Sequence, residues 1–432
     1  MNTITFEIFG FYLDVPFLIF YLLLFGVLAV LLRFFFKLFW DFVWLPWRQK
    51  KYLAKQKFCL LHLLMPRINE QGPEATEAIF NALAAAQKGG SWRERNLFGY
   101  FQQSVSFEIV SFGSDIHYFV FTPLQYRDLI EAGVYAAYPD VEIHEIEDYA
   151  ERVNFKFPAE AHELWGTSFV FYNKAPYPIR TYKLFEHSIL DPKRVKDPLE
   201  NMIETMSKLK DGEEMWFQLV ITPISSSWTK EGEKLIKEVA KKAMIAEGKG
   251  GQWTLWQEFQ RQVFATGGGG EEKEGYVPIP RGTQNILELI QSKLSKAGFK
   301  VVLRMAYFAP KDVFSMARGV SGFLGALAGY NTLDLNGFKP NGNTKTSGPE
   351  YYLVKKRQAQ RKNLTLKRYK TRGKFTPAGL SVDSMVNAEK PCILNSEELA
   401  SLYHFPYTAE RVEAIKGISS RRGRPPANLP VE

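Results

Sequence analysis

The sequence predicts an α+β protein in which an N-terminal transmembrane helix precedes two ferredoxin-like (split βαβ) units, the second carrying a helical insertion. Three observations lead there. Val15 to Leu32 is a run of 18 residues without a charge. Residues 58–150 read strand, helix, strand, strand, helix, strand, the split-βαβ order. An apolar run ending in Thr-Pro or Ala-Pro recurs at residues 119–123, 219–223 and 306–310, as a duplication would leave it. Proline stops a strand ladder and presets the dihedral for the turn or helix that follows.

The anchor comes first, over residues 1–57. Extended through Arg33 to Trp44, the apolar run suffices to cross a hydrocarbon layer, which takes ~20 residues. Glu7 and Asp14 are the only charges in residues 1–32, whereas Arg33, Lys37, Arg48, Lys50, Lys51, Lys55 and Lys57 crowd the other side. Positive flanks stay cytoplasmic. The expectation is a single pass through the cytoplasmic (plasma) membrane, N-terminus outside and the bulk of the chain cytoplasmic. Phe34, Phe35, Phe36, Trp40, Trp44 and Trp47 supply an interfacial aromatic belt. Phe34 to Trp47 is expected to lie partly along the surface, with Arg33 and Lys37 snorkelling. The run lacks the basic leader and small-residue cleavage site of a secretory signal.

In the first unit, residues 58–150, Phe58 to Met65 reads as a strand and Pro73 to Gln87 as a helix stopped by Gly89-Gly90. Val105 to Phe112 and Asp115 to Thr122 form a hairpin about Gly113-Ser114. Pro123 opens a helix to about Ala136, and Val141 to Ile146 is a strand. The second unit, residues 151–354, begins with the strand Thr167 to Tyr172. The helix Pro198 to Lys210, capped by Asp197, and the strand Met215 to Thr222 follow. A helical insertion spans about residues 229–297: Lys230 to Ala246, Trp253 to Phe264, an exposed loop Thr266 to Gly275, and Thr283 to Ala297. Lys300 to Phe308 is a strand, a helix starts at Pro310, and Tyr351 to Val354 closes the sheet. Gly319, Gly322, Gly325 and Gly329 share one helical face, suited to internal packing or to a subunit interface. A basic segment, 355–386, and a C-terminal tail, 387–432, complete the chain.

Composition narrows the function. About 375 residues follow the anchor, enough for two or three domains, and the 46% hydrophobic content excludes general disorder. Cys59 and Cys392 form no C-x-x-C pair, which suits a reducing cytoplasm. No phosphate loop is present: in Gly337 to Thr344, Asn343 stands where the lysine should be. Ser321 lacks the spacing of a nucleophile elbow. His62, His117, His144, His162, His187 and His404 show no metal spacing. The chain is therefore expected to be non-enzymatic and without a cofactor.

The formal charge of +9 is concentrated. Lys355, Lys356, Arg357, Arg361, Lys362, Lys367, Arg368, Lys370, Arg372 and Lys374 fall in twenty residues with no acid between them. With Tyr351, Tyr352, Tyr369 and Phe375 nearby, such a stretch suits nucleic acid: cations release counterions and rings stack bases. Anionic headgroups and a solvated or protein-facing role are the competing uses.

Several segments resemble the membrane-anchored N-terminal region of bacterial type IV secretion/conjugation coupling-protein ATPases, the HerA/FtsK-like group. They are the anchor with Trp47-Arg48-Gln49-Lys50-Lys51, Ser106-Phe107-Glu108-Ile109, residues 135–140 (YAAYPD), residues 336–340 (NGFKP) and residues 395–406 (NSEELASLYHFP). The resemblance spans nearly the whole chain. It implies a motor domain after a segment like residues 420–430, yet the sequence stops at Glu432. The expectation is thus a motor encoded separately or lost by truncation. The implied function is a membrane-anchored adaptor that docks or oligomerises an ATPase motor at the membrane, with DNA and further copies of itself as partners. A structural envelope or secretion scaffold, its basic segment on lipid or protein, is the alternative.

Overall fold

The computed structural model describes residues 5–8, 11–65, 69, 71–186, 197–246, 281–347, 352–372 and 389–406. The expected helix at 253–264, the loop at 266–275, Tyr351, Lys374, Phe375 and the glycine- and arginine-rich end of the chain lie outside them. Two units result. One draws on Met1–Gln56 and Gly90–Phe101, the other on Lys57–Gly89, Gln102–Gly373 and Ala388–Glu432.

The first unit opens with an antiparallel hairpin, β1 (Thr5–Ile8) and β2 (Phe11–Asp14). Helix α1 (Val15–Phe39) passes through a π-helical turn, Trp40–Trp44, into α2 (Leu45–Leu53) without a break. Ile19–Leu53 is long and apolar enough to cross a membrane, and none of its most apolar stretch is buried against the described residues.

The second unit contains, in chain order, β3 (Phe58–Leu64), α3 (Pro73–Ala84), then, after α4 (Trp92–Asn96) of the first unit, β4 (Val105–Phe112) and β5 (Asp115–Pro123). There follow α5 (Arg127–Ala137), β6 (Glu142–Ile146), β7 (His162–Phe171), α6 (Tyr182–Glu186), α7 (Pro198–Ser207) and β8 (Glu214–Pro223). Next are α8 (Thr229–Ala246), α9 (Arg281–Leu294), β9 (Gly298–Pro310), α10 (Gly322–Leu327), β10 (Phe338–Pro340), α11 (Val354–Thr371), β11 (Cys392–Asn395) and α12 (Ser396–Leu402). Local chemistry explains many boundaries. Pro73 occupies the first turn of α3 behind Gly72, and the Asp197 carboxylate caps α7 by accepting from Leu199 N at 2.8 Å. Asn395 and Glu398 form a reciprocal capping box on α12.

All the described strands of this unit join one nine-stranded antiparallel sheet in the order β10-β7-β9-β8-β4-β5-β3-β6, with β11 added to β9. The two halves of the chain meet where β4 pairs with β8, from Val105↔Ile221 to Phe112↔Glu214. Strand β9 is long enough to serve two neighbours along one side, β7 over Arg304 to Pro310 and β11 over Gly298 to Val301. The sheet is covered on both faces, which is why β4 and β8 are buried nearly throughout. On one face Ile79 and Phe80 of α3, Val134 of α5, Met202 and Met206 of α7, Phe323 of α10 and Leu399 of α12 pack on Phe107, Phe217 and Leu303. On the other, Ala359, Leu366 and Tyr369 of α11 pack on Val110, Trp216 and Phe308. Helices α8 and α9 share a smaller cluster around Leu235, Ile236, Leu287 and Ile290.

Three sequence expectations change. Val354 opens α11 rather than ending a strand, and Leu353 before it is left-handed at φ 50°. The strand at that edge is β10, where Phe338 stacks on Phe171 at 5.5 Å. The β preference of Tyr-Leu-Val yields there to eighteen residues rich in Lys, Arg, Gln and Leu, which favour helix. Strand β9 continues to Pro310, and helical backbone resumes only at Met316, because Ala309 and Pro310 still pair with Glu163 and His162. The stretch read as a C-terminal tail supplies β11 and α12, whose Leu394, Leu399 and Leu402 have no exposure. Three of the four glycines, Gly319, Gly322 and Gly329, pack internally, whereas Gly325 faces open space. A side chain at Gly319 would overlap the Tyr307 ring, and one at Gly329 would press on Pro198.

A buried histidine adds a pH dependence to this core. His404 Nε2 lies 2.5 Å from Asp197 Oδ2, and Nδ1 lies 2.8 Å from Ala400 O. Burial alone would lower its pKa, but Asp197 and the carbonyl outweigh it and raise it above 6.5. The charged ring therefore stabilises the fold fully below pH ~6.5, and that contribution fades as pH rises through the raised folded value. His404→Gln is expected to cost most at acid pH, with the gap to the native chain narrowing as pH is raised. Urea unfolding across that range measures the gap.

Candidate nucleic-acid interface

Helix α11 carries nearly all of the basic stretch, and its three faces treat the cations differently. Ala359, Leu366 and Tyr369, spaced seven and ten residues apart along the helix, face the sheet. To one side of that face Lys356 and Lys367 are exposed, as are Lys355 and Arg357 near the helix start. Other cations of the helix are held. Arg361 Nη1 donates to Lys345 O at 3.0 Å, Lys362 pairs with Glu163 and lies over the Phe157 ring, and Lys370 Nζ is 3.8 Å from Glu151. Arg368 is half-buried, and its carbonyl accepts from Arg304 Nη1 at 3.0 Å.

Arg372 is a correction to the sequence reading. Its guanidinium is fully buried and each of its three nitrogens is paired, Nε donating to Glu108 Oε1 at 2.7 Å and both terminal nitrogens to Asp148 at 2.5 and 2.8 Å. No polyanion can reach it without unfolding the helix end. Tyr369 is likewise closed to base stacking, with its hydroxyl 2.9 Å from that of Tyr149. Of the described aromatic neighbours, Tyr352 is the exposed one, at 73%.

Beneath α11 lies a row of polar side chains that the sequence reading did not single out. Glu108, Gln218 and Arg304 sit on β4, β8 and β9 at paired register positions. Gln218 Nε2 donates to Glu108 Oε1 at 2.9 Å, and Arg304 Nη1 donates to Gln218 Oε1 at 2.7 Å. The row is closed at one end by Glu389, which receives two bonds from Arg304 at 2.8 and 2.7 Å, and at the other by Arg372 and Asp148. Tyr149 donates to Glu108 at 2.6 Å and Ser106 donates at 2.7 Å. Burial would lower Arg372, yet Glu108, Tyr149 and Asp148 drive it well above its usual range. Burial would raise Glu389, yet the Arg304 charge brings it below the usual carboxylate value. A polar network this completely paired rigidifies what it joins. Here it joins the underside of the cationic helix to the middle of the sheet.

Along the same register, but separated from Glu108 by Phe119 of β5, lie His62 and His144 on β3 and β6, with His117 Nδ1 3.2 Å from His62 Nε2. Burial, with His117 and His144 close by, pushes His62 down to about 4. Single histidines on separate strands gave no sign of this grouping. Among the described residues, no three His, Cys, Asp or Glu side chains converge as a metal site would require. Residues 337–344 form β10 and an Asn341 turn whose Thr344 hydroxyl accepts from Ser168 N at 3.0 Å.

A family model described as Domain of unknown function (DUF8128) matches residues 56–409, well over half of the chain and the whole described part of the sheet unit. No curated protein matches it.

Proposed function

We propose that this chain, which belongs to the DUF8128 family, is a non-catalytic, membrane-anchored adaptor for a DNA-translocating motor of the type IV secretion/conjugation kind. The observation that carries the reading is the presence, in one polypeptide, of an apolar helix of lipid-crossing length and a cationic helix face braced from below by a buried ion network. The apolar helix spans the cytoplasmic membrane with its cation-rich C-terminal end inside. The sheet is read as two ferredoxin-like units joined edge to edge. Strands β3, β4, β5 and β6 run β6-β3-β5-β4 across it, and β7, β8, β9 and β10 run β10-β7-β9-β8, the same order twice. Such a duplicated platform docks the motor or a second copy of the chain, while Lys355, Lys356, Arg357 and Lys367 contact DNA phosphates.

Bracing matters because a contact made by an already ordered helix loses less conformational entropy on binding. With ~4 phosphate contacts, duplex affinity of the full chain in nanodiscs should fall about 100-fold between roughly 50 and 200 mM salt. Changing Lys355, Lys356, Arg357 and Lys367 together to Gln should flatten that dependence and leave thermal unfolding unchanged. Binding that ignores salt, or no binding, removes DNA from the proposal. Binding of the same cations to anionic vesicles alone would support the scaffold alternative.

A further inference from the structure

We propose that residues 91–100 form a second membrane contact, seated in the headgroup layer beside the anchor; this rests on reading Ile19–Leu53 as a bilayer span. The segment is SWRERNLFGY. It presents Trp92 and Phe98 at 62% exposure each, with Leu97 at 37%. Three large apolar side chains exposed within seven residues form a patch that water does not favour. The segment is not a loose loop. Helix α4 is closed by a reciprocal box, in which Ser91 N donates to Glu94 at 2.7 Å and Glu94 N donates to Ser91 Oγ at 3.2 Å.

What covers the patch follows from where the segment is fastened. Trp44 Nε1 donates to Asn96 O at 3.2 Å, and Arg48 Nε donates to Leu97 O. Gly99, left-handed at φ 72°, brings its backbone against that of Arg48 and Gln49, where any Cβ would overlap. Tyr52 meets the rings of Tyr100 and Phe101 edge-on at 5.7 and 5.9 Å. These fastening points lie between Trp44 and Tyr52. At 1.5 Å rise per residue, the ~20 residues needed for the hydrocarbon layer, counted from Ile19, are used up near Phe39. Trp44 stands about 8 Å and Tyr52 about 20 Å past that point in an upright helix, so the attachment begins at the headgroup level and runs outward from it.

The chemistry of that level is already displayed on the helix. Phe36, Trp40, Trp44 and Trp47 follow one another at ring separations of 5.7, 5.8 and 5.7 Å, and Arg48 and Lys51 lie over the Trp47 ring. Residues 91–100 repeat the combination, with Trp92 and Phe98 as amphipathic or apolar wedges and Arg93 and Arg95 as cations for anionic headgroups. Two points of contact would hold the anchor against rotation as well as withdrawal.

The test uses the full chain carrying Phe98→Cys, labelled with a polarity-sensitive dye; Cys59 and Cys392 are buried and their labelling is measured separately. The protein is placed in phosphatidylcholine–phosphatidylglycerol vesicles with either a shallow doxyl lipid or aqueous iodide as quencher. For a reporter at the ~5–10 Å depth of an interfacial aromatic, doxyl quenching should exceed iodide quenching about twofold or more. Trp92→Cys repeats the measurement at the other end of the segment. Iodide quenching without doxyl quenching at both positions overturns the proposal while leaving the anchor intact, provided the protein stays with the vesicles after an alkaline wash. Release by that wash overturns the anchor reading and this inference together.

Discussion

A chain ending at Lys390 is expected to lose its cooperative unfolding transition. The deleted residues include Leu394, Leu399, Leu402, Tyr403 and Phe405, none more than 2% exposed. Burying each contributes about 1.5–3 kcal/mol, so together they approach the ~5–15 kcal/mol that holds a whole domain folded. Loss of β11 would also leave the first four residues of β9 without a neighbour on that side, exposing Phe299 and Val301. A charge would be stranded too. Lys293 Nζ is 3.1 Å from Glu398 Oε2, both essentially without exposure. Burial pushes Lys293 down and Glu398 up, and each resists the other's shift. Near-ultraviolet circular dichroism during urea titration, with limited proteolysis alongside, reads the outcome. A truncated chain that keeps a sharp transition would show that these residues merely decorate the surface.

Arg372→Ala is expected to destabilise the fold by about 3–5 kcal/mol, because it leaves Glu108 buried without its cation. The position is already under tension, since Arg372 is left-handed at φ 44° at the end of α11, where glycine is usual. That backbone costs ~1–3 kcal/mol for a non-glycine residue. Arg372→Gly separates the two effects. It relieves the backbone and still deserts Glu108, so it should fall short of the native chain yet stand above Arg372→Ala. Lys367→Ala, on the exposed side of the same helix, should change stability by no more than ~0.5 kcal/mol. If Arg372→Ala proved as mild as Lys367→Ala, the buried network would not be what docks α11. With α11 undocked, the salt dependence of the proposed DNA binding should weaken even though the four exposed cations remain.

Much of the secondary structure was legible because it is written locally. Pro73 behind Gly72, Asp197 before Pro198, and Gly113 at the β4–β5 turn each announce a boundary through the backbone geometry they permit. The short strand β10 was missed because three residues carry no period. Residues 392–402 were missed because β11 is a four-residue strand and α12 a seven-residue helix, elements that exist mainly through what they cover. The buried row left a faint mark: VSFEIVSF, MWFQLVITP and VVLRMAYFA each hold one charged or amide residue amid apolar neighbours. Nothing in one strand says that the three align, since register is a relation between strands.

By itself the sequence determined the apolar helix with its one-sided cations, the succession of strands and helices, and the concentration of positive charge after residue 354, because length, period and charge are properties of contiguous residues. The tertiary structure decided that the two halves share one sheet and that residues 392–402 belong to the core. It also divided the basic stretch into an exposed face and a buried clasp. Those outcomes depend on partners hundreds of residues apart in the chain, such as Arg372 and Glu108, 264 residues apart. Whether a cation meets solvent or a carboxylate is settled by which surface its helix covers.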